Sequence, residues 1–185
     1  MTDTNSTELF KYARLYLGME NWEFMKKTTP TELKMFQDTN VDIESSYFVK
    51  GNELILKKFK AFYLTRCLKK RPLYTQCSIY DYADGLSSAD KDEFGLNVSK
   101  DLLFLYMHCH MTDLGRSRQW LTSTVVNKVA DRNRIGLVTV ILSEVNVPEF
   151  EDCGELKVVD FGGVITKAIM KNIETGKPSS SGGYE

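Results

Sequence analysis

The chain has little of several things that active sites are built from. Among its 185 residues there are two histidines, four cysteines and four prolines. The histidines stand together in "HCH", His108 to His110. In a strand His108 and His110 share one face while Cys109 points away. A metal site needs a third or fourth ligand, and with no further histidine a cysteine or an acid would have to come from elsewhere in the chain, so no metal is expected. Cys67, Cys77, Cys109 and Cys153 form no C-x-x-C and read as free buried thiols in a reducing compartment. No apolar run approaches the roughly 18 residues of a membrane span. The opening "MTDTNSTELF" lacks the basic and apolar regions of a signal peptide. The expectation is a soluble, cytoplasmic protein. With 24 Lys and Arg against 25 Asp and Glu the net charge is −1, so no global field draws the chain to nucleic acid or membrane. Any such contact needs a local patch.

What is present suits a globular domain. The chain is 42% hydrophobic and 26% charged, enough for a real core. "ELFKYARLYLGMENWEFMKK" reads as a helix broken near Gly18. In "TPTELKMFQ", Thr29 caps a second helix, Pro30 takes its first position and Glu32 completes a capping box. About 40 residues of short helices are too few for a core of their own, so they should dock on the remainder or on a partner.

From Tyr47 the pattern alternates. "SYFVKG" is a short strand. "ELILKKFKAFYLTRCLKKR" is a helix with Ile55, Phe59, Phe62 and Tyr63 on one face, ended by Pro72. Strands follow at "PLYTQCSIY", "DLLFLYMHCH", "GLVTVILS" and "KVVDF", and helices at "QWLTSTVVNKVADRNR" and "GGVITKAIMKNI". "DYADGLSSADKDEFG" is an acidic loop or short helix, and "VPEFEDCGEL" a loop or short helix. Strands alternating with helices predict an α/β fold with a largely parallel sheet, preceded by short N-terminal helices. The expected divisions are residues 1–45 for the helical appendage, 46–173 for the α/β domain and 174–185 for a disordered tail.

A phosphate-binding loop reads G-x-x-x-x-G-K-[ST]. In "KGNELILKK", Gly51 stands at the first glycine and Lys57 at the lysine. Leu56 replaces the second glycine and Lys58 the hydroxyl that would hold magnesium. The acids of an active ATPase belong at the end of an apolar strand, for metal and for the attacking water. After Leu102 to Leu105 the chain has Tyr106 and Met107 instead. Asp101 lies at the wrong end of that strand, and Asp113 would have to fold back.

On these residues and on "RQWLTSTVVNKVADRNRIGLVTVILSEVNVPEF", positions 46 to about 165 resemble the ATPase core of the bacterial replicative-helicase loaders, the DnaC/DnaI-like branch of the AAA+ proteins. Trp120 leads the helix, Arg132 and Arg134 occupy its final turn, and "GLVTVILSE" fills the strand. Val138 replaces a proline, and Leu142-Ser143-Glu144 stands in place of Thr-Ser-Asn. The resemblance implies a P-loop-like three-layer domain with a degenerate nucleotide site at Gly51, Lys57 and Lys58. It also implies an arginine offered in trans to a neighbour's nucleotide, Arg132 or Arg134; the alternative is a cationic end suited to the helix dipole.

A second constellation is basic. Lys57, Lys58, Lys60, Arg66, Lys69, Lys70 and Arg71 occur with no acid between them, and Lys58, Lys60, Arg66, Lys69, Lys70 and Arg71 are candidate anion or nucleic-acid contacts, interleaved with aromatics. The bland alternative is a half-buried helix with solvated lysines. Trp22 and Phe24 are candidates for docking a partner. The expected function is a non-hydrolysing AAA+-like interaction protein in DNA replication or mobile-element machinery, binding a helicase or an ATPase paralogue, with no cofactor. Two alternatives stand beside it: a deviant ATPase using ATP and magnesium, and a single-stranded nucleic-acid module on helix 57–71.

Overall fold

The computed structural model describes residues 3–87, 100–108 and 118–162. Cys109, His110, Asp113, the acidic stretch from residue 88, the expected helix in 162–173 beyond its first residue and the tail 174–185 lie outside the described residues.

Among the described residues five strands form one sheet: β1 (Tyr47–Lys50), β2 (Tyr74–Ser78), β3 (Leu102–Met107), β4 (Val138–Ser143) and β5 (Lys157–Asp160). Their order is β2-β3-β4-β1-β5, and every pairing is parallel. The helices are α1 (Asp3–Lys26), α2 (Pro30–Asp38), α3 (Glu53–Arg66), α4 (Ile79–Ser87), α5 (Arg118–Arg134) and the single turn α6 (Pro148–Glu151). A 3-10 turn, Cys67–Lys69, continues α3. The α/β class read from the sequence is the class observed.

Side chains alternate along each strand, so each strand feeds both faces. Tyr47 and Val49 of β1 join Phe104, Val140 and Leu142 in one apolar cluster with Phe59, Phe62, Tyr63 and Leu64 of α3. Phe48, Leu103, Leu105 and Ile141 join the opposite cluster with Leu121, Val125 and Val129 of α5 and Ile79, Tyr82 and Ala83 of α4. The helices divide because right-handed crossovers running in opposite directions must lie on opposite faces. From β1 to β2 the chain passes back over β4 and β3; from β2 to β4 it advances.

The N-terminal helices dock on the sheet's α3 face. Leu17 of α1 and Phe36 of α2 are fully buried in the same cluster as α3. Phe36 meets Phe59, Phe62 and Phe161 at 5.7, 5.5 and 5.3 Å between ring centroids. Tyr16 of α1 meets Tyr74 of β2 edge-on at 5.8 Å and donates its hydroxyl to the Pro72 carbonyl. So α1 covers the β2 side, α2 lies toward β5, and α3 is enclosed between them. The Thr29 capping box forms as expected, with the Thr29 amide donating to Glu32 at 2.8 Å. Gly18 breaks α1 at φ 76°, ψ 163°, a conformation essentially reserved for glycine. Among the described residues no helix is long and apolar enough to cross a membrane.

Candidate functional site

In open parallel sheets ligands bind outside the carboxyl ends of the strands, where successive connections depart to opposite faces. Here that place lies between β1 and β4: the chain leaves β1 for the α3 face and β4 for the α5 face. The residues there are the turn Gly51–Asn52, Ser143 at the end of β4 with Glu144 after it, and Met107 at the end of β3 with His108 after it.

The turn after β1 is too short to be a phosphate cradle. Only Gly51 and Asn52 separate β1 from α3. A cradle needs several irregular residues whose N–H groups turn toward one point. In this chain Glu53 to Leu56, the residues that would wrap the phosphates, are the first turn of a helix. Two of their amides are already engaged: Asn52 Oδ1 accepts from the Ile55 amide at 3.0 Å, and the Asn52 carbonyl accepts from Leu56 at 3.0 Å. The Gly51 amide donates to the Ser143 carbonyl at 3.1 Å. Glu53 adds a negative charge at the helix start, where anions would otherwise be attracted. A Cβ at Gly51 would stand 2.5 Å from Ile55 Cγ2, so this glycine serves close packing of turn against helix.

The three residues of the degenerate nucleotide site therefore do not converge. Lys57 sits in the second helical turn, bonded to Glu53 at 2.6 Å and lying over the Phe24 ring at 5.8 Å. The Glu53 hydrogen bond raises its pKa despite partial burial. Lys58 points to α2 and pairs with both Glu32 oxygens at 2.7 and 2.8 Å, which together with the Thr29 amide holds the Glu32 carboxyl below its ordinary range.

At the acid positions Tyr106 is half-buried and Met107 buried. Glu144, 7% exposed, meets His108 Nδ1 at 2.8 Å, and His108 stacks on Tyr106 at 5.7 Å with the rings 7° from parallel. The carboxylate that follows β4 is thus engaged by a histidine. Asp101 is at the opposite end of β3, as expected, where its carboxylate accepts from the Leu73 amide at 3.0 Å. Among the described residues no group of three or more His, Cys, Asp or Glu could hold a metal.

A third charged cluster closes the β1–β5 side. Lys50, 7% exposed at the end of β1, reaches Glu151 at 2.8 Å and Asp160 at 2.9 Å, with Asn146 at 3.4 Å. Burial opposes its charge, but the hydrogen bonds to Glu151 and Asp160 outweigh burial and raise its pKa. No sequence signal marks this cluster, because Lys50 lies 101 residues from Glu151 and farther still from Asp160.

The basic segment divides. Lys58 and Lys60 are 7% and 3% exposed, so the expectation that they offer anion contacts is corrected: α3 is covered on both sides and their stems lie inside. Lys60 donates to the Gln76 side chain and rests against the rings of Phe104 and Tyr106. Burial lowers its pKa to about 8. Phe59, Phe62 and Tyr63 are at most 4% exposed and present no face for bases. Lys70 pairs with Glu44 at 2.5 Å. Arg66, Lys69 and Arg71 are exposed at the far end of the helix.

Arg132 is also internal, a correction to its expected role in trans. It is 6% exposed and donates to Thr139 Oγ1 at 2.9 Å and to the carbonyls of Lys100 and Val138 at 3.0 and 3.1 Å. It braces the end of α5 against the start of β4. Arg134 is exposed and bonds Asp131 at 2.9 Å. Of the docking candidates, Phe24 lies against Lys57, whereas Trp22 lines an apolar groove of about 600 Å³ between α1 and the end of α3.

No protein-family model matches the chain, and no curated protein matches it. Among solved structures it is similar to the replication initiator DnaA bound to AMPPCP and single-stranded DNA, at 12% identity and TM-score 0.42, covering 69% of this chain and 44% of that one. It is also similar to AMPPCP-bound DnaA from Aquifex aeolicus, at 14% identity and TM-score 0.42, covering 89% and 55%. A third similarity is to the HORMA:CdnC:Trip13 complex of E. coli MS115-1, at 12% identity and TM-score 0.38, covering 86% and 59%. The chain spans about half the length of these structures. The α/β architecture rests on the strand order and pairing given above.

Proposed function

We propose that the chain is a non-hydrolysing AAA+-like interaction protein, acting in DNA replication or mobile-element machinery by binding a helicase or an active ATPase. The observation that carries this reading is the two-residue turn between β1 and α3. Phosphate binding at this place in an α/β sheet depends on a loop of inward-facing amides, and here the same residues are spent on a helix start. Tyr106 and Met107 at the acid positions, and Lys57 bonded to Glu53, act in the same direction. The setting comes from the sequence resemblance. Arg134 is the exposed arginine at the end of α5 and keeps the trans role; Arg132 does not.

The test is ATP turnover with magnesium, beside equilibrium binding of ATP. Neither is expected above background, and Lys57→Ala should change nothing. Magnesium-dependent turnover that disappears in Lys57→Ala would overturn the proposal in favour of the deviant ATPase. The nucleic-acid module on helix 57–71 is disfavoured by the burial of Lys58, Lys60 and the aromatics between them.

A further inference from the structure

We propose that the groove between α1 and the end of α3 is the docking site for an acidic amphipathic helix of a partner protein. This deepens the interaction reading above and rests on it for the partner being a protein.

The groove exists because α1 is broken. Its first half contributes Leu17, its second half Trp22 and Met25, and the last turn of α3 with the 3-10 turn behind it contributes Leu68. The Gly18 break lets both halves of α1 line one depression. Tyr12, 52% exposed, stands at its edge. Exposed apolar surface gathered in one concave place marks an interaction site, whereas single exposed side chains do not.

The rim selects the partner's charge. Lys69 and Arg71 line it, together with Lys26, whose ammonium is paired with Glu23 at 2.6 Å, and no carboxylate is itself among the groove's described lining residues. Arg71 is placed there at a cost. It holds a left-handed backbone at φ 49°, costly for a residue with a long side chain. Its Nε–H donates to the Leu68 carbonyl at 3.3 Å and its guanidinium lies over Tyr12 at 5.8 Å. Non-glycine residues persist in such conformations where the surroundings impose them, often at ligand clamps.

An apolar floor between helical walls, with a cationic rim, fits a helix carrying apolar anchors at i, i+3, i+4 and i+7 and acids on its flanks. A nucleic acid would instead need open aromatic faces along a phosphate track. Trp22 is a single ring set among Ala13, Leu17, Met25 and Leu68 rather than one of a row, and the Tyr12 face is occupied by Arg71.

The experiment uses the full chain and three labelled probes. One is a synthetic helix of about 18 residues with leucines at the anchor spacing and glutamates elsewhere. The second has lysines in place of the glutamates, and the third is a single-stranded oligonucleotide. The acidic helix should bind in the range of about 10–100 µM, the basic one at least tenfold more weakly. The double variant Lys69→Glu/Arg71→Glu should weaken the acidic helix about tenfold and leave the urea midpoint close to wild type, since both side chains are exposed. Trp22→Ala should also weaken it, and a matching urea midpoint would exclude unfolding as the cause. Equal binding of the two helices, or no response to the charge reversal, overturns the proposal. Binding of the oligonucleotide alone, lost on charge reversal, overturns it in favour of a nucleic-acid site. Lys57 lies at the other end of α3, so the ATP test and this one can fail separately.

Discussion

Replacing Lys50 by methionine removes the cation from the end of β1 while keeping an unbranched apolar stem. Glu151 and Asp160 both lie within 2.9 Å of Lys50 Nζ, so their oxygens are less than about 6 Å apart and would face each other uncompensated. At an effective dielectric constant between about 20 and 80, two unit charges at that separation repel by about 1–3 kcal/mol. Removing one partner of a fully buried pair costs about 3–5 kcal/mol. These two carboxylates are 32% and 49% exposed and regain water, which sets the expectation for Lys50→Met at about 2–3 kcal/mol at pH 7. The pH dependence has a definite sign. The Lys50 hydrogen bond, helped by the Gly162 amide, holds the Asp160 carboxyl below its ordinary range. Such a group stabilises the fold above the unfolded carboxylate pKa of about 3.9 and loses that contribution as pH falls through the folded value. The gap between wild type and Lys50→Met should therefore be full at pH 7 and contract below about pH 4. Urea unfolding followed by circular dichroism at pH 7, 5 and 3 measures it. A gap under about 1 kcal/mol at pH 7, or one that does not change with pH, would refute the reasoning. Asp160→Asn in the Lys50→Met background should recover part of the loss.

Phe36→Ala should cost about 3–5 kcal/mol in urea unfolding, because Phe36 is fully buried against three rings; a cost under about 1 kcal/mol would mean α2 is not docked. Lys60→Met should stabilise the protein by about 1–3 kcal/mol at pH 7. Burial holds the Lys60 pKa at about 8 against about 10.4 unfolded, so the unfolded chain binds more protons between these values and wild-type stability should rise across them. Lys60→Met should abolish that rise, as pH-resolved urea midpoints would show. Gly18→Ala should cost about 1–3 kcal/mol and weaken the acidic helix probe, since alanine does not tolerate φ 76°, ψ 163°; thermal melts and the binding assay read the two effects.

What could be read in advance was local. Thr29, Pro30 and Glu32 signal a helix start within four residues, and the apolar runs at Leu102 and Val138 signal strands buried on both faces. Gly18 signals a break. "GNE" was ambiguous because one short string serves two purposes. Asparagine before a glutamate is a helix cap, while glycine followed six residues later by lysine is part of a phosphate loop. Only the length of the turn decides, and that length is set by how tightly β1 and α3 pack around Gly51. The buried lysines were illegible for another reason. Lys58 finds Glu32 and Lys60 finds Gln76 across loops with no pattern linking them, and α3 is enclosed only because α1 and α2 close over it. The same holds for Arg132, whose acceptors at Lys100 and Thr139 exist only once β3 and β4 are side by side.

The strand order also bears on how the chain is made. β1 is synthesised before every other strand, yet its two neighbours are β4 and β5: Tyr47 pairs with Val140 and with Lys157. At about 5–20 residues per second, the roughly 90 residues between Tyr47 and Val140 take about 5–20 s to emerge. During that interval Tyr47 to Lys50 has neither of its native neighbours, and its apolar side chains are exposed to other chains. The helices that lie over that face in the finished fold are already available: α1 and α2 precede β1, and α3 follows it at once. They can shelter Tyr47 and Val49 while Phe48, on the other side, waits for α5 and α6. Weakening α2 docking should therefore lower the yield of folded protein during synthesis more than its equilibrium cost alone would predict.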